Sequence, residues 1–171
     1  LEVGKGILYT YFSYIEDVFL AFTLRKFYFS EKQSKLSIPK VYVCDLGLPN
    51  YVLETKYSED LGRLIENYVF LELKKKQLQQ NFDLFYLKLN DSEVDFLIKE
   101  GIQIKQLIQV TYASNKDEID QREIKALEKA YEVFKKDRPE LIIITWDYED
   151  ILKKNNLEIK CIPLWKWLLG I

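Results

Sequence analysis

Between Phe82 and Tyr112 the chain carries three apolar-alternating runs, Phe82 to Leu89, Glu93 to Lys99 and Ile102 to Tyr112, separated only by Asn90-Asp91-Ser92 and Glu100-Gly101. Joints this short, built from residues that accept turn geometry, force neighbouring antiparallel hairpins. A helical pattern over about Asp117 to Lys136 follows, ended by Pro139. Leu141 to Trp146, apolar except for Thr145, then reads as a buried central strand. Hairpin strands followed by a crossover helix and a buried strand predict an α/β (α+β) fold, a mixed sheet flanked by helices. Ahead of the hairpins, Ser58 or Asp60 is suited to cap a helix running to about Gln80, with Leu61, Leu64, Ile65, Tyr68, Val69 and Leu73 as its buried stripe. After the central strand the pattern predicts a short helix near Tyr148 to Lys154, a strand from Leu157 to Ile162 and a closing turn from Pro163 to Leu169.

The first fifty residues read as a separate unit. Ile7, Tyr11, Tyr14, Ile15, Val18, Phe19 and Phe22 recur at three- and four-residue spacings, which predicts a helix over Ile7 to Phe22 with a mostly aromatic buried stripe. Thr23 to Ser30 and Lys40 to Leu46 are expected to form two strands joined by a polar turn over Glu31 to Ser37. Asp45 to Asn50 is turn chemistry that divides residues 1–50 from a second domain, 58–171. The first ribbon holds Arg25, Lys26, Lys32, Lys35 and Lys40 against Glu31 alone, a local charge of +4 within a chain of net charge −2. A helix and basic ribbon of this kind resemble the last helix and wing of a winged helix-turn-helix. Arg25, Lys26, Lys32 and Lys35 then become candidates for meeting DNA phosphates. The alternative is a solvated basic turn that keeps an edge soluble.

Composition narrows the chemistry. At 171 residues, 48% apolar and 30% charged, the chain is one domain's worth of globular protein. It contains no histidine, which removes serine–histidine and thiol–histidine catalysis and histidine-ligated zinc. Cys44 and Cys161 are too far apart for a metal motif and are expected to be core thiols of a cytoplasmic protein. The apolar stretch from Ile7 to Phe22 is broken by Glu16-Asp17 and is too short for a membrane span. Val3-Gly4-Lys5-Gly6 lacks the spacing of a phosphate-binding loop. With Leu1 first and no methionine anywhere, the chain is expected to be a piece of a longer polypeptide.

Strand parity then singles out a site. Val94, Phe96 and Ile98 are expected on one face, leaving Asp95 on the other. Ile102, Ile104, Ile108 and Val110 are expected to form the apolar face of the next strand, with Lys105, Gln109 and Thr111 opposite. Asp95 and Gln109 come close on adjacent strands, and the preceding helix carries Glu66 over the same spot. Two carboxylates and an amide oxygen are the donors a hard cation such as Mg²⁺ takes, to activate water beside a scissile phosphate. The competing reading is a carboxylate pair satisfied by backbone amides or a nearby lysine or arginine.

The segments Gly62 to Leu73, Glu93 to Ile98 and Leu107 to Tyr112 resemble the C-terminal region of a widespread family of archaeal and bacterial P-loop ATPases, a domain of unknown function. Lys40 to Leu48, Gln121 to Leu127 and Ile162 to Leu169 extend the likeness over nearly the whole chain. The resemblance implies a restriction-endonuclease-like αβββαβ core of the PD-(D/E)xK type, preceded by part of a winged helix. By position it makes Glu66 the helix acid, Asp95 the metal-binding aspartate, Gln109 the (D/E) position and Thr111 the lysine position. Gln109 has lost the charge and Thr111 the cation, so a weakened Mg²⁺ site is implied. A substitute lysine is sought among Lys88, Lys99 and Arg122, whereas Lys105, four residues along the strand from Gln109, is about 13 Å away. The implied function is a degenerate nuclease-like accessory domain that recognises DNA or a partner protein. An active metal-dependent endonuclease with a relocated lysine, or a structural or oligomerisation module, are the alternatives. The implied partners are the ATPase core of the same longer chain, DNA, and further copies assembled through that ATPase, with no membrane.

Overall fold

The structure is a computed structural model that describes residues 5–45 and 57–171, with side chains from Gly6 and from Leu61 onward in the two stretches. The predicted joint over Asp45 to Asn50 falls beyond Asp45 outside these residues, as do the side chains of the helix cap sought at Ser58 or Asp60. The three hairpin strands form as expected, β3 (Asp83–Leu89), β4 (Ser92–Glu100) and β5 (Gln103–Val110). Both turns are two-residue loops with a first residue in the left-handed region, Asn90 at φ 49° and Gly101 at φ 58°. Ile102 sits in the second loop, 93% exposed, and contributes nothing to the apolar face expected of it.

Asp120 accepts from the Arg122 N–H at 2.8 Å and caps helix α4 (Gln121–Phe134), which carries the chain across to β6 (Glu140–Thr145). Strand β6 lies between β5 and β8 (Leu157–Pro163), parallel to both. The six-stranded mixed sheet has the order β3-β4-β5-β6-β8-β7, where β7 is Asp150–Lys154.

Its last strand is a correction. Asp150–Lys154 is β7, an antiparallel edge strand, where the sequence pattern predicted a short helix. The reason is the turn after it. Asn155 and Asn156 take φ values of 50° and 62°, the geometry of a tight hairpin that returns the chain onto β8. The closing residues Leu164–Leu169 form helix α5, ended by Gly170 at φ 70°, rather than a turn.

The strands of the sheet alternate between two cores. Leu141 and Ile143 pack with Leu97, Leu107 and the Leu127, Ala130 and Phe134 stripe of α4. Ile142 and Ile144 face the other way, with Phe96, Ile108, Val110 and helix α3 (Tyr57–Gln79). Helix α3 buries Ile65, Val69, Phe70 and Leu73 there. Cys161 lies in the first core, whereas Cys44 is only half-buried; both are free thiols.

The N-terminal segment joins the same two cores. Helix α1 (Lys5–Asp17) is shorter than expected, because Phe19 at φ 54° reverses the chain and the Glu16 carboxylate takes the Thr23 N–H at 2.7 Å. The expected buried stripe of this helix is largely reversed: Ile7, Tyr11, Tyr14, Val18 and Phe19 are all more than half exposed. Strands β1 (Ala21–Leu24) and β2 (Lys40–Val43) pair antiparallel, and the segment between them forms a short helix α2 (Glu31–Leu36) instead of a turn. Leu24 and Tyr42 enter the core beneath α3, while Phe27 enters the α4 core. Past β1 the chain runs beside β3, with Tyr86 N donating to Arg25 O at 3.0 Å and Phe27 N to Tyr86 O at 2.7 Å, which covers that sheet edge. Among the described residues no helix is long and apolar enough to cross a membrane.

Candidate functional site

Two β-bulges decide where the polar side chains go. Phe85 pairs with Leu97 and Leu87 with Val94, so Tyr86 alone faces both Asp95 and Phe96. The extra residue re-aims this stretch of β4. Phe96 and Ile98 stay with the α3 core, Val94 packs in the α4 core, and Asp95 reaches the α3 side instead of standing opposite Phe96. In β5, Ile98 pairs with Gln106 and Lys99 with Ile104, which leaves Lys105 as the extra residue. Ile104 therefore joins the α4 core while Ile108 and Val110 join the α3 core, so the single apolar face expected of this strand is split.

Asp95 is 7% exposed, Gln109 8% and Thr111 9%, polar side chains inside an apolar sheet. The structure brings Asp95 and Gln109 together as expected, through the backbone: the Asp95 N–H donates to Gln109 Oε1 at 3.2 Å, and the Val110 N–H donates to Asp95 Oδ2 at 2.9 Å. Glu66 joins them through a residue that parity reasoning did not place. Strand β2 directs Lys40 and Tyr42 to one side, and the Lys40 ammonium lies 3.0 Å from Glu66 Oε1, 2.9 Å from Glu93 Oε1 and 3.5 Å from Asp95 Oδ1. The Tyr42 hydroxyl donates to Glu66 Oε1 at 2.6 Å, its ring stacked on Phe70 with centroids 4.1 Å apart. Asn67 completes the clamp, accepting from Val43 N at 2.9 Å and donating to Val43 O at 2.8 Å.

None of the other lysine candidates reaches this point. Lys99 pairs with Asp83 at 3.3 Å, Arg122 with Asp120 at 2.7 Å and Lys105 with Gln103 at 2.8 Å, while Lys88 approaches only Glu93, at 3.9 Å. The basic residues proposed for phosphate contact lie on the ribbon and α2. Arg25 and Lys32 are exposed, Lys26 sits 4.7 Å over the Tyr28 ring, and Lys35 pairs with Glu31 at 2.7 Å.

Burial governs the electrostatics. It pushes the Asp95 carboxyl up to about 7, reinforced by the nearby Glu66 charge; the Lys40 ammonium and the Val110 N–H pull the other way and do not win. Burial also works against the Lys40 charge, but the Asp95 and Glu66 carboxylates, with hydrogen bonds to Glu93 and Glu66, hold its pKa above the ordinary lysine value. Tyr42 is pushed up by burial and by Glu66, so its phenol stays a donor. A second acid missed in the sequence, Glu123 in the first turn of α4, is raised to about 7 by burial, with the adjacent Thr111 hydroxyl opposing. Its buried Oε2 has no hydrogen-bond partner among the described residues. The sequence signals for Lys40 were its place in the basic ribbon and its alternation with Tyr42, and for Glu123 its place just after a capping aspartate.

As arranged, these donors do not suit a divalent cation. Gln109 Oε1 and Asp95 Oδ2 are taken by backbone N–H groups, Glu66 Oε1 by a phenol, and an ammonium stands between the acids. The oxygens lie 2.9–3.5 Å from its nitrogen, against about 2.0–2.1 Å for Mg²⁺. Among the described residues no group of three or more acids or thiols is placed to hold a metal ion.

The fold and site define a helix-flanked mixed-sheet domain in which a buried aspartate, set by a β-bulge, and two further acids gather about a lysine from a preceding ribbon. The chain belongs to the family described as a domain of unknown function, DUF4143, whose model matches residues 61–167. That range takes in Glu66, Asp95, Gln109, Thr111 and Glu123 but not Lys40. The chain is 40% identical over 173 residues to the uncharacterized protein MJ1544 of Methanocaldococcus jannaschii, a match covering 98% of this chain. It spans 37% of that relative's length. No solved structure matches the chain.

Proposed function

We propose that this chain is a nuclease-like domain of the PD-(D/E)xK type that does not cut, and that it serves a longer chain with a P-loop ATPase core in recognising DNA or a partner protein. The observation that carries the reading is the Lys40 ammonium seated among Glu66, Glu93 and Asp95, with glutamine and threonine at the positions of the second acid and the lysine. A cleavage site concentrates negative charge to hold a metal against a phosphate; here that charge is met from within the chain. The order helix, three antiparallel strands, helix, parallel strand supports the nuclease-like fold. The share of the relative's length that the chain spans supports service in a longer protein. The exposed apolar stripe of α1 supports a docking role alongside it.

The test is incubation with supercoiled plasmid and Mg²⁺ or Mn²⁺, read on native gels across a salt series. The expected outcome is no nicking by the wild type or by Asp95→Ala. Metal-dependent nicking abolished in Asp95→Ala overturns the reading in favour of an active endonuclease whose lysine has moved to Lys40. On the same gels, a salt-sensitive shift lost in a Lys32→Glu, Lys35→Glu variant identifies DNA as the recognised partner.

A further inference from the structure

We propose that Lys40 is the resident cation of the carboxylate site, an ammonium standing where a divalent ion would otherwise be held, and that through it the site fastens strand β2 to helix α3. The inference rests on the nuclease-like reading of Glu66 and Asp95. Three carboxylates from two elements, Glu66 on α3 and Glu93 and Asp95 on β4, converge on one nitrogen within 3.5 Å. Like charges this close are stable together only with a cation among them or with a proton taken up. An ammonium supplies three donor hydrogens, one for each acid here. The same strand adds the Tyr42 hydroxyl to Glu66, and Asn67, next to Glu66 on α3, takes both backbone groups of Val43. Lys40 and Tyr42 of β2 thus meet Glu66 Oε1, Glu93 Oε1 and Asp95 Oδ1, while Asp95 Oδ2 is held by the Val110 N–H of β5 and Glu93 Oε2 is approached by Lys88 of β3; the carboxylate charge that faces β2 holds the ribbon.

Size makes the inference specific. The oxygens surround the nitrogen at 2.9–3.5 Å, a shell that must contract by about 1 Å for Mg²⁺ but by about two-thirds of that for Ca²⁺, which takes oxygens at about 2.3–2.6 Å. Removing the ammonium should therefore open a site that prefers Ca²⁺.

The experiment is calorimetric titration of Ca²⁺ and Mg²⁺ into the wild type, Lys40→Gln, Lys40→Ala and Lys40→Arg, with thermal melts in the presence and absence of each ion. The wild type and Lys40→Arg are expected to bind neither and to melt unchanged. Lys40→Gln should bind one Ca²⁺ on the order of tenfold or more tighter than the wild type, and more tightly than Mg²⁺, with Ca²⁺ restoring lost melting temperature. Wild-type protein that binds either ion as tightly as the glutamine variant overturns the inference, a result that needs no variant to fold. A folded Lys40→Gln with no Ca²⁺ response overturns it as well. Ion binding by the wild type without plasmid nicking sinks this inference alone, whereas metal-dependent nicking sinks the non-cutting reading.

Discussion

Asp95 and Glu123 are the residues whose chemistry the fold changes most. In the unfolded chain such carboxyls release their protons near pH 4, while in the fold both hold them up to about 7. Between those values the folded protein binds more protons than the unfolded one, so its stability falls as pH rises. Their surroundings set the size of the effect: Glu66, Glu93 and Lys40 face Asp95, and Thr111, Asp120 and Arg122 lie about Glu123. The stabilising contribution is fully present below about pH 4 and is lost by about pH 7, on the order of a few kcal/mol for the two groups together. Melting temperatures measured across pH 4–7 should fall with rising pH, and Asp95→Asn should flatten the slope. A wild-type melting temperature that rises through this window would show that the ion pair with Lys40 outweighs burial.

At the scale of elements, turns decided what periodicity could not. The β7–β8 hairpin is a two-residue loop, with Lys154 paired to Leu157 and both asparagines at positive φ. An alanine there must adopt a left-handed backbone at a cost of roughly 1–2 kcal/mol, while a glycine adopts it freely. Asn156→Ala should therefore lower stability in urea titrations by about 1 kcal/mol, and Asn156→Gly should leave it unchanged or raise it. The Asn-Asn pair was present in the sequence as a hairpin signal, but the charged residues around Asp150 to Lys154 masked the strand. The bulges of β4 and β5 carried no such mark. An extra residue in a ladder depends on which strand lies beside it, so Asp95 and Phe96 could not be assigned to one face from alternation alone.

Across the whole molecule, the N-terminal ribbon and the sheet share their cores. Phe27 lies 5.4 Å from Phe134 and 5.6 Å from Phe85, ring to ring, deep in the α4 cluster. Replacing it with alanine should cost about 3–5 kcal/mol, as for other buried aromatics. The change should lower a single melting transition followed both by circular dichroism and by the fluorescence of Trp146, Trp165 and Trp167. A partial early transition that leaves the tryptophan signal in place would instead mark residues before Asp45 as an independent unit.

The order of the main elements, the two central hairpins, the buried strand and the identity of the polar residues that enter the sheet were legible in the residues alone. Those follow from local turn chemistry and from side-chain period, which need no partner to be read. The absence of histidine left carboxylates, amides, lysines and hydroxyls as the groups on which chemistry here can rest. That Lys40 is the cation among Glu66, Glu93 and Asp95 came from long-range packing, because 26 residues separate it from Glu66 and 55 from Asp95. A strand's period says which residues share a face, as Lys40 and Tyr42 do. What that face meets is decided when the ribbon folds onto the helix.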